Sequence, residues 1–271
     1  MGLGLGFGVQ KSSYIGGIVL PTSLGDMVHF FQHQTGVTTD GSIISGWEDQ
    51  IGTANLSQSS SARQAPYDSS TGAIDFANSE TSSNSNRLEF ASVQAFTGAF
   101  SLFFVAKLEA FPGPQVRAFH GFSSGGTLTA SDSTLNFYDN TGDLSSTTWQ
   151  MVFAGSAAGS TSSSVSQATN PDPIHDVKTL VVVTVSDTDG GTAKVYFGGN
   201  DPDNLSSINL TGSATLSGDK NFDIKIIGHQ VGSPTRQLGG DLFEWGTYSK
   251  ELSSSEVDQL FDIMKNRNLI G

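Results

Sequence analysis

Residues 179–185 read TLVVVTV, an almost unbroken apolar run of strand length, which is the pattern of a strand buried on both faces. Ser-Asp-Thr-Asp-Gly-Gly follows, and Asp189-Gly190 can supply the positive φ of a tight turn, so residues 193–197 are expected to return as the hairpin partner. Residues 222–227 (FDIKII) alternate instead. That places Phe222, Ile224 and Ile226 on one face and Asp223, Lys225 and Ile227 on the other, one face core and the other mostly wet. Residues 155–170 are almost entirely Ala, Gly, Ser and Thr, too poor in large apolar groups to hold a strand by burial, and are expected to form a long surface loop, with 81–86 a second one. The period changes after Leu252: Val257, Leu260, Phe261 and Met264 fall at i, i+3, i+4 and i+7, an apolar stripe on a helix. Ser253 and Glu256 have capping-box spacing at its start, and Lys265 and Arg267 complement the helix dipole at its end. Core packing accounts for this helix, and no function is assigned to it.

The first residues carry a different pattern. Gly2, Gly4, Gly6 and Gly8 alternate with Leu3, Leu5, Phe7 and Val9, so an extended segment would present all its apolar side chains on one face. Glycine loses entropy on ordering, so such a segment is expected to order against a partner. A second apolar stretch, residues 14–20, ends at Pro21. Residues 1–25 are therefore expected to be an extended Gly/Leu-rich N-terminal anchoring arm, contacting its partner through Leu3, Leu5, Phe7, Val9, Tyr14 and Ile15, and residues 26–271 a single domain. No Lys or Arg precedes the short apolar start, so no secretion signal is expected, and no apolar run reaches the roughly 20 residues needed to span a bilayer.

Between Trp47 and Pro66 the chain reads WEDQIGTANLSQSSSARQAP. This ordered string of Trp47, Asp49, Gly52, Asn55, Gln58, Arg63 and Pro66 resembles the opening of the laminin-G-like (LamG), concanavalin A-like jelly-roll domains common in bacteriophage virion proteins. Apolar segments at 72–76, 87–90 and 100–111 (FSLFFVAKLEAF) follow in the order such domains bring them, and residues 240–248 with the helix after Leu252 match their close, so the resemblance covers about 26–271. It implies an all-β fold: a concanavalin A-like jelly-roll β-sandwich with a short C-terminal α-helix and an extended N-terminal arm. It also implies a phage virion structural protein of decoration or fibre type. The arm would anchor it to other virion proteins in the capsid, neck or tail, and it would be assembled in the host cytoplasm as a homo-oligomer. The alternative is a carbohydrate-binding adhesion module for host-surface glycan, with Tyr138, Trp149 or Trp245 as stacking platforms. Trp47 is read as core.

Composition narrows the chemistry. Charged residues are 14% with 32 glycines in 271 residues, which suits a turn-rich β-sandwich. A formal net charge of -13 argues against a nucleic-acid partner, which needs clustered Lys and Arg, and nothing suggests a membrane partner. Without cysteine there is no disulfide, thiolate metal site or Cys nucleophile. The Glu-x-Asp-x-x-Glu dyad of concanavalin A-like glycosidases is absent. Asp241 and Glu244, three apart, should point to opposite faces of a strand, and the adjacent Glu48 and Asp49 have the same problem. The five histidines accompany no G-x-S-x-G motif, and His29 and His33, spaced like a helical metal pair, lack the H-E-x-x-H arrangement. No catalytic residue is assigned and no enzyme is expected. Calcium is the one cofactor the sequence suggests, at Asp187 with Asp189, at Asp201 with Asp203 and Asn204, or at Asp139 with Asn140 and Asp143, although each cluster is also ordinary turn composition.

Overall fold

The computed structural model describes residues 14–15, 18–76, 86–108, 116–121, 134–139, 149–154, 163–167, 177–199, 208–216, 222–228, 238 and 240–270. In chain order its strands are β1 (Tyr14–Ile15), β2 (Ile18–Val19), β3 (Met27–Phe31), β4 (Val37–Asp40), β5 (Ile43–Trp47), β6 (Leu56–Ser57), β7 (Tyr67–Asp68), β8 (Ala73–Asp75), β9 (Leu88–Phe96) and β10 (Phe100–Leu108). They continue with β11 (Val116–Gly121), β12 (Thr134–Asp139), β13 (Trp149–Ala154), β14 (Ser163–Gln167), β15 (Thr179–Val185), β16 (Thr192–Gly198), β17 (Ile208–Thr215), β18 (Phe222–Ile227) and β19 (Gly240–Tyr248). One α-helix, α1 (Ser254–Asn266), follows β19.

Two antiparallel sheets form a sandwich. The eight-stranded sheet runs β17-β16-β15-β10-β19-β8-β7 with β3 also paired to β19, and the nine-stranded sheet runs β14-β13-β12-β11-β18-β9-β6-β5-β4. One apolar cluster fills the space between the sheets. A second lies on the outer side of the eight-stranded sheet, beneath α1. The run TLVVVTV is buried throughout because β15 serves both: Val181, Val183 and Val185 enter the first cluster, Leu180 and Val182 the second. Its hairpin with β16 turns at Gly190, φ +68°. In α1 the expected capping box is present, with Ser253 N–H donating to Glu256 Oε2 (2.8 Å) and Glu256 N–H to Ser253 Oγ (3.4 Å). Phe261 of its buried stripe lies so close to β16 that a Cβ on Gly198 would come within 2.7 Å of the ring.

Three expectations are corrected. The stretch 155–170 is not loop throughout, since β14 pairs with β13 inside it; the ladder is made by backbone groups, and a neighbouring strand supplies the partners that Ser-rich side chains do not. In β18 the alternation breaks at a bulge between Ile224 and Ile226, so Ile224, Ile226 and Ile227 are all buried. Lys225 Nζ donates there to the carbonyls of Phe90 and Ala91 on β9. Residues 20–24, drawn within the arm, pack on the body: Leu20 is buried, Tyr248 Oη–H donates to the Pro21 carbonyl at 3.1 Å, and Lys250 Nζ donates to that of Leu24 at 2.7 Å. Residues 81–85 lie outside the described residues.

Candidate functional site

The string that carries the resemblance forms a set of structural ties. Trp47 is buried, and its Nε1–H reaches the carbonyls of Gln32 and Thr35, each at 3.2 Å. Asp49, also buried, accepts from the N–H groups of Phe30 and Ile51 at 3.0 Å and from His29 Nδ1 at 2.8 Å, and its own N–H donates to Asn55 Oδ1 at 3.0 Å. Burial raises the Asp49 pKa, but the bonds from His29 and from the backbone of Phe30, Ile51 and Gly52 outweigh it and hold the carboxyl below its ordinary value. A Cβ on Gly52 would lie 2.7 Å from Asp49 Oδ2, so the turn needs glycine. Gln58 accepts from Ser60 N–H (3.0 Å) and donates to the Arg87 carbonyl (3.4 Å), tying the loop to the start of β9. His29 is a β3 residue facing Asp49, and His33 lies beyond the end of β3, so the two make no helical metal pair.

A charged ledge stands on the helix side of the eight-stranded sheet. Register places Asp75 opposite Asp241 and Asp241 opposite Lys107, and Lys178 precedes the last β10–β15 pair, Ala106 with Thr179. All four are half-buried. Their strand neighbours Ile74, Leu242 and Ala106 belong to the inter-sheet core, whereas Ala73, Val105 and Phe243 belong to the cluster under α1, which fixes the face. Asp241 and Glu244 were expected on opposite faces. A bulge corrects this: Val105 pairs with Glu244 but Ala106 with Leu242, so Phe243 is an extra residue and both acids reach the helix side.

Glu244 is fully buried and engaged. Both terminal nitrogens of Arg267, immediately after α1, donate to its two oxygens (Nη2 to Oε2, 2.6 Å), and His33 N–H donates to Oε2 at 2.9 Å. Lys178 Nζ sits 4.2 Å over the centroid of the Phe243 ring. Burial lowers the Lys178 pKa, Asp241 opposes this and Lys107 adds to it. The His33 ring lies 6.0 Å from that of Phe243, and burial, with Lys178 and Arg267, lowers its pKa against the Phe243 backbone contact, so it is neutral at pH 7. Gly72 (φ +71°) makes room for it: a Cβ there would stand 2.2 Å from His33 Cε1. Carboxylates and ammoniums at neighbouring register positions on one sheet face offer hydrogen-bond acceptors and donors side by side. Asp75, Lys107 and Lys178 belong to no motif in the sequence, and only their outward phase at strand ends hinted at them.

The residues expected to bind glycan separate. Trp245 is corrected to core: it is fully buried, its ring 4.8 Å from that of Phe31 at an interplanar angle of 1°, because β19 is covered on both faces. In the nine-stranded sheet the register pairs Tyr138 with Gln150 and Trp149 with Asp139. Asp187 and Asp189 are exposed hairpin residues in which Asp189 N–H donates to Asp187 Oδ1 at 3.0 Å, a turn-stabilising bond. Among the described residues no three His, Asp or Glu assemble as a metal site. Asp139 lies in β12, while Asp201, Asp203, Asn204, Asn140 and Asp143 lie outside the described residues, as do Leu3, Leu5, Phe7 and Val9. Tyr14 and Ile15 form β1, opposite Val19 and Ile18 of β2.

The class defined by these sheets is the β-sandwich, and known structures share it. The chain is similar to the binding domain of Paraclostridial Mosquitocidal Protein 1 (TM-score 0.55, 11% identity, 86% of this chain and 52% of that one). It is similar to the Botulinum Neurotoxin Type G Receptor Binding Domain (TM-score 0.54, 12% identity, 88% and 51%) and to Trypanosoma rangeli sialidase in complex with 2,3-difluorosialic acid (TM-score 0.52, 18% identity, 95% and 36%). The chain thus spans about half the length of the two binding domains and about a third of the sialidase. At these identities the likeness is one of fold. No family model matches the sequence, and no curated protein does. The likenesses support the sandwich but not the LamG or virion assignment expected from the Trp47 string.

Proposed function

We propose that this chain is a carbohydrate-binding β-sandwich module that holds glycan on the ledge formed by Asp75, Asp241, Lys107 and Lys178. That row is the observation that carries the reading. Each carboxylate offers about four acceptor sites, so it can keep its protein partners and still accept sugar hydroxyls, and each ammonium donates to ring and hydroxyl oxygens. Similarity of fold to receptor-binding domains and to a sialidase bound to a sugar supports it. The module binds without turnover, since Glu244, the buried carboxylate of this face, is locked by Arg267 and His33 and is not free to act as acid or base. The test is a glycan array followed by calorimetric titration of the best ligand. D241N is expected to weaken binding about tenfold, the loss of one charge-assisted hydrogen bond, while remaining folded by circular dichroism. Unaltered binding by D241N removes the ledge from the site, and absence of binding to any glycan at millimolar concentration refutes the reading.

A second reading, display of this module on a virion, rests on the period-two alternation of Leu3, Leu5, Phe7 and Val9 with glycine. The part of the arm ahead of Leu20 would be the anchor. Co-sedimentation with particles lacking the protein tests it: the full chain should ride with them and the version without residues 1–19 should not, and equal behaviour of the two defeats it.

A further inference from the structure

Two turns meet on the ring of His33 beside the ledge. Residues 32–36, after β3, carry the ring, and residues 69–72, ahead of β8, lie against it: a Cβ on Gly72 would stand 2.2 Å from His33 Cε1 and 2.8 Å from Nδ1, so the close approach needs glycine there. Gln34 Nε2 ties the turns together by donating to the Ser69 carbonyl at 3.2 Å. Nδ1 of the ring is buried and has no hydrogen-bond partner among the described residues. An unprotonated nitrogen tolerates this better than a protonated one, because a buried charged donor without an acceptor costs more than a buried neutral acceptor. The surrounding charges act in the same sense. Arg267, after α1, and Lys178, ahead of β15, both oppose a cation at His33 and add to the effect of burial. Glu244 on β19 accepts His33 N–H, but both its oxygens are already held by Arg267. Asp241 attracts Lys178, and Asp68, at the start of the covering turn, is held by the Ser70 N–H and by the Ser70 and Thr71 hydroxyls. His29 is engaged by Asp49.

We propose that His33 is an acid-operated catch: unprotonated, its ring closes the 32–36 and 69–72 turns onto the eight-stranded sheet, and protonated, it leaves its slot for water and the two turns part. The slot gives a proton on Nδ1 nothing to bond to, and Gly72 leaves no room beside it. The side chain is half-buried, so a change of rotamer carries the charged ring to solvent. The direction of the response follows from linkage. The released ring titrates near the ordinary value of about 6.5 and the seated ring below it, so the closed form holds above about 6.5. As pH falls from there toward the lower, seated value, each unit shifts the balance up to about tenfold toward the open form, and below the seated value the shift stops. The catch lies where the ledge can feel it. The covering turn leads into β8, which carries Asp75, and the Phe243 ring, 6.0 Å from that of His33, lies beneath the Lys178 ammonium.

The experiment is ring titration and amide hydrogen exchange by NMR on the full chain between pH 7.5 and 4.5, with exchange rates corrected for the intrinsic effect of pH. The His33 ring signal, one of five histidines, is identified by its absence in H33Q. Its midpoint is expected below about 6.5. Protection of His33 N–H and of Gly72 N–H, which donates to the Asp68 carbonyl at 2.7 Å, is expected to fall about tenfold from pH 7 to 5, while Val182 at the centre of β15 keeps its protection. H33Q, neutral at every pH, should lose this pH dependence, and K178M, which removes one opposing cation, should raise the ring's midpoint. A midpoint at or above about 6.5 overturns the catch, as does protection that stays level from pH 7 to 5, a loss shared equally by Val182, or a fall that persists in H33Q. Should H33Q not fold, the ring is assigned through its own backbone signals and K178M decides: a midpoint that does not move overturns the proposal.

Discussion

Truncating Arg267 should be far more damaging than its position at the end of the chain suggests. Glu244 is 0% exposed and Arg267 is 8% exposed at its side chain, so water does little to screen either charge. Removing one partner of a buried ion pair leaves the other charge desolvated and costs about 3–5 kcal/mol. One hydrogen bond to Glu244, from His33 N–H, remains and does not replace a bidentate guanidinium. The helix itself should stay docked, because Val257, Leu260, Phe261, Ile263 and Met264 are buried and contribute about 1.5–3 kcal/mol each. R267A is therefore expected to fold and to lose about 3–5 kcal/mol in urea denaturation, a loss that barely changes between low and high salt. The second arm of the cycle separates a stranded charge from lost packing. E244Q removes the charge and keeps an oxygen for His33 N–H, so E244Q/R267A should recover all but about 1–2 kcal/mol, the cost of an imperfectly paired amide. A loss below about 1 kcal/mol in R267A, the range of exposed pairs, would refute the buried-pair reasoning, and so would a double variant as unstable as the sum of the single ones.

Two further expectations concern Asp49. D49A strands the His29 imidazole and the N–H groups of Phe30 and Ile51, and it should cost about 3 kcal/mol in the same denaturation assay, with glycan binding on the ledge unchanged once the protein is folded. Because the folded Asp49 pKa lies below its ordinary value, its contribution is present above the unfolded value of about 3.9 and is lost as pH falls through the lower folded one. The stability gap between the natural chain and D49A should thus be level from pH 5 to 7 and close below about pH 4; a gap that widens in acid would show that Asp49 is not held ionised by these bonds.

What the sequence made legible follows from how locally each feature is determined. TLVVVTV, the Asp189-Gly190 turn and the Ser253–Glu256 capping box depend on side chains within one element, and all three are found where they were read. Asp241 and Glu244 were read as opposed because the sequence does not show the one-residue bulge at Phe243, and a single extra residue reverses every side chain beyond it; Ile227 was misplaced by a larger irregularity, where the β9 partner jumps from Gln94 to Glu89 while β18 moves from Ile224 to Ile226. The ledge was hidden for a related reason: Asp75, Lys107, Lys178 and Asp241 come from or border four strands and become neighbours only through register. The Trp47 string shows the converse. Trp47, Asp49, Gly52, Asn55 and Gln58 form a recognisable pattern because they close one loop onto β3 and β9, a task that any sandwich of this shape must perform whatever it binds. A likeness carried by such residues therefore speaks for architecture, and partners must be read from surface rows that the architecture tolerates but does not require.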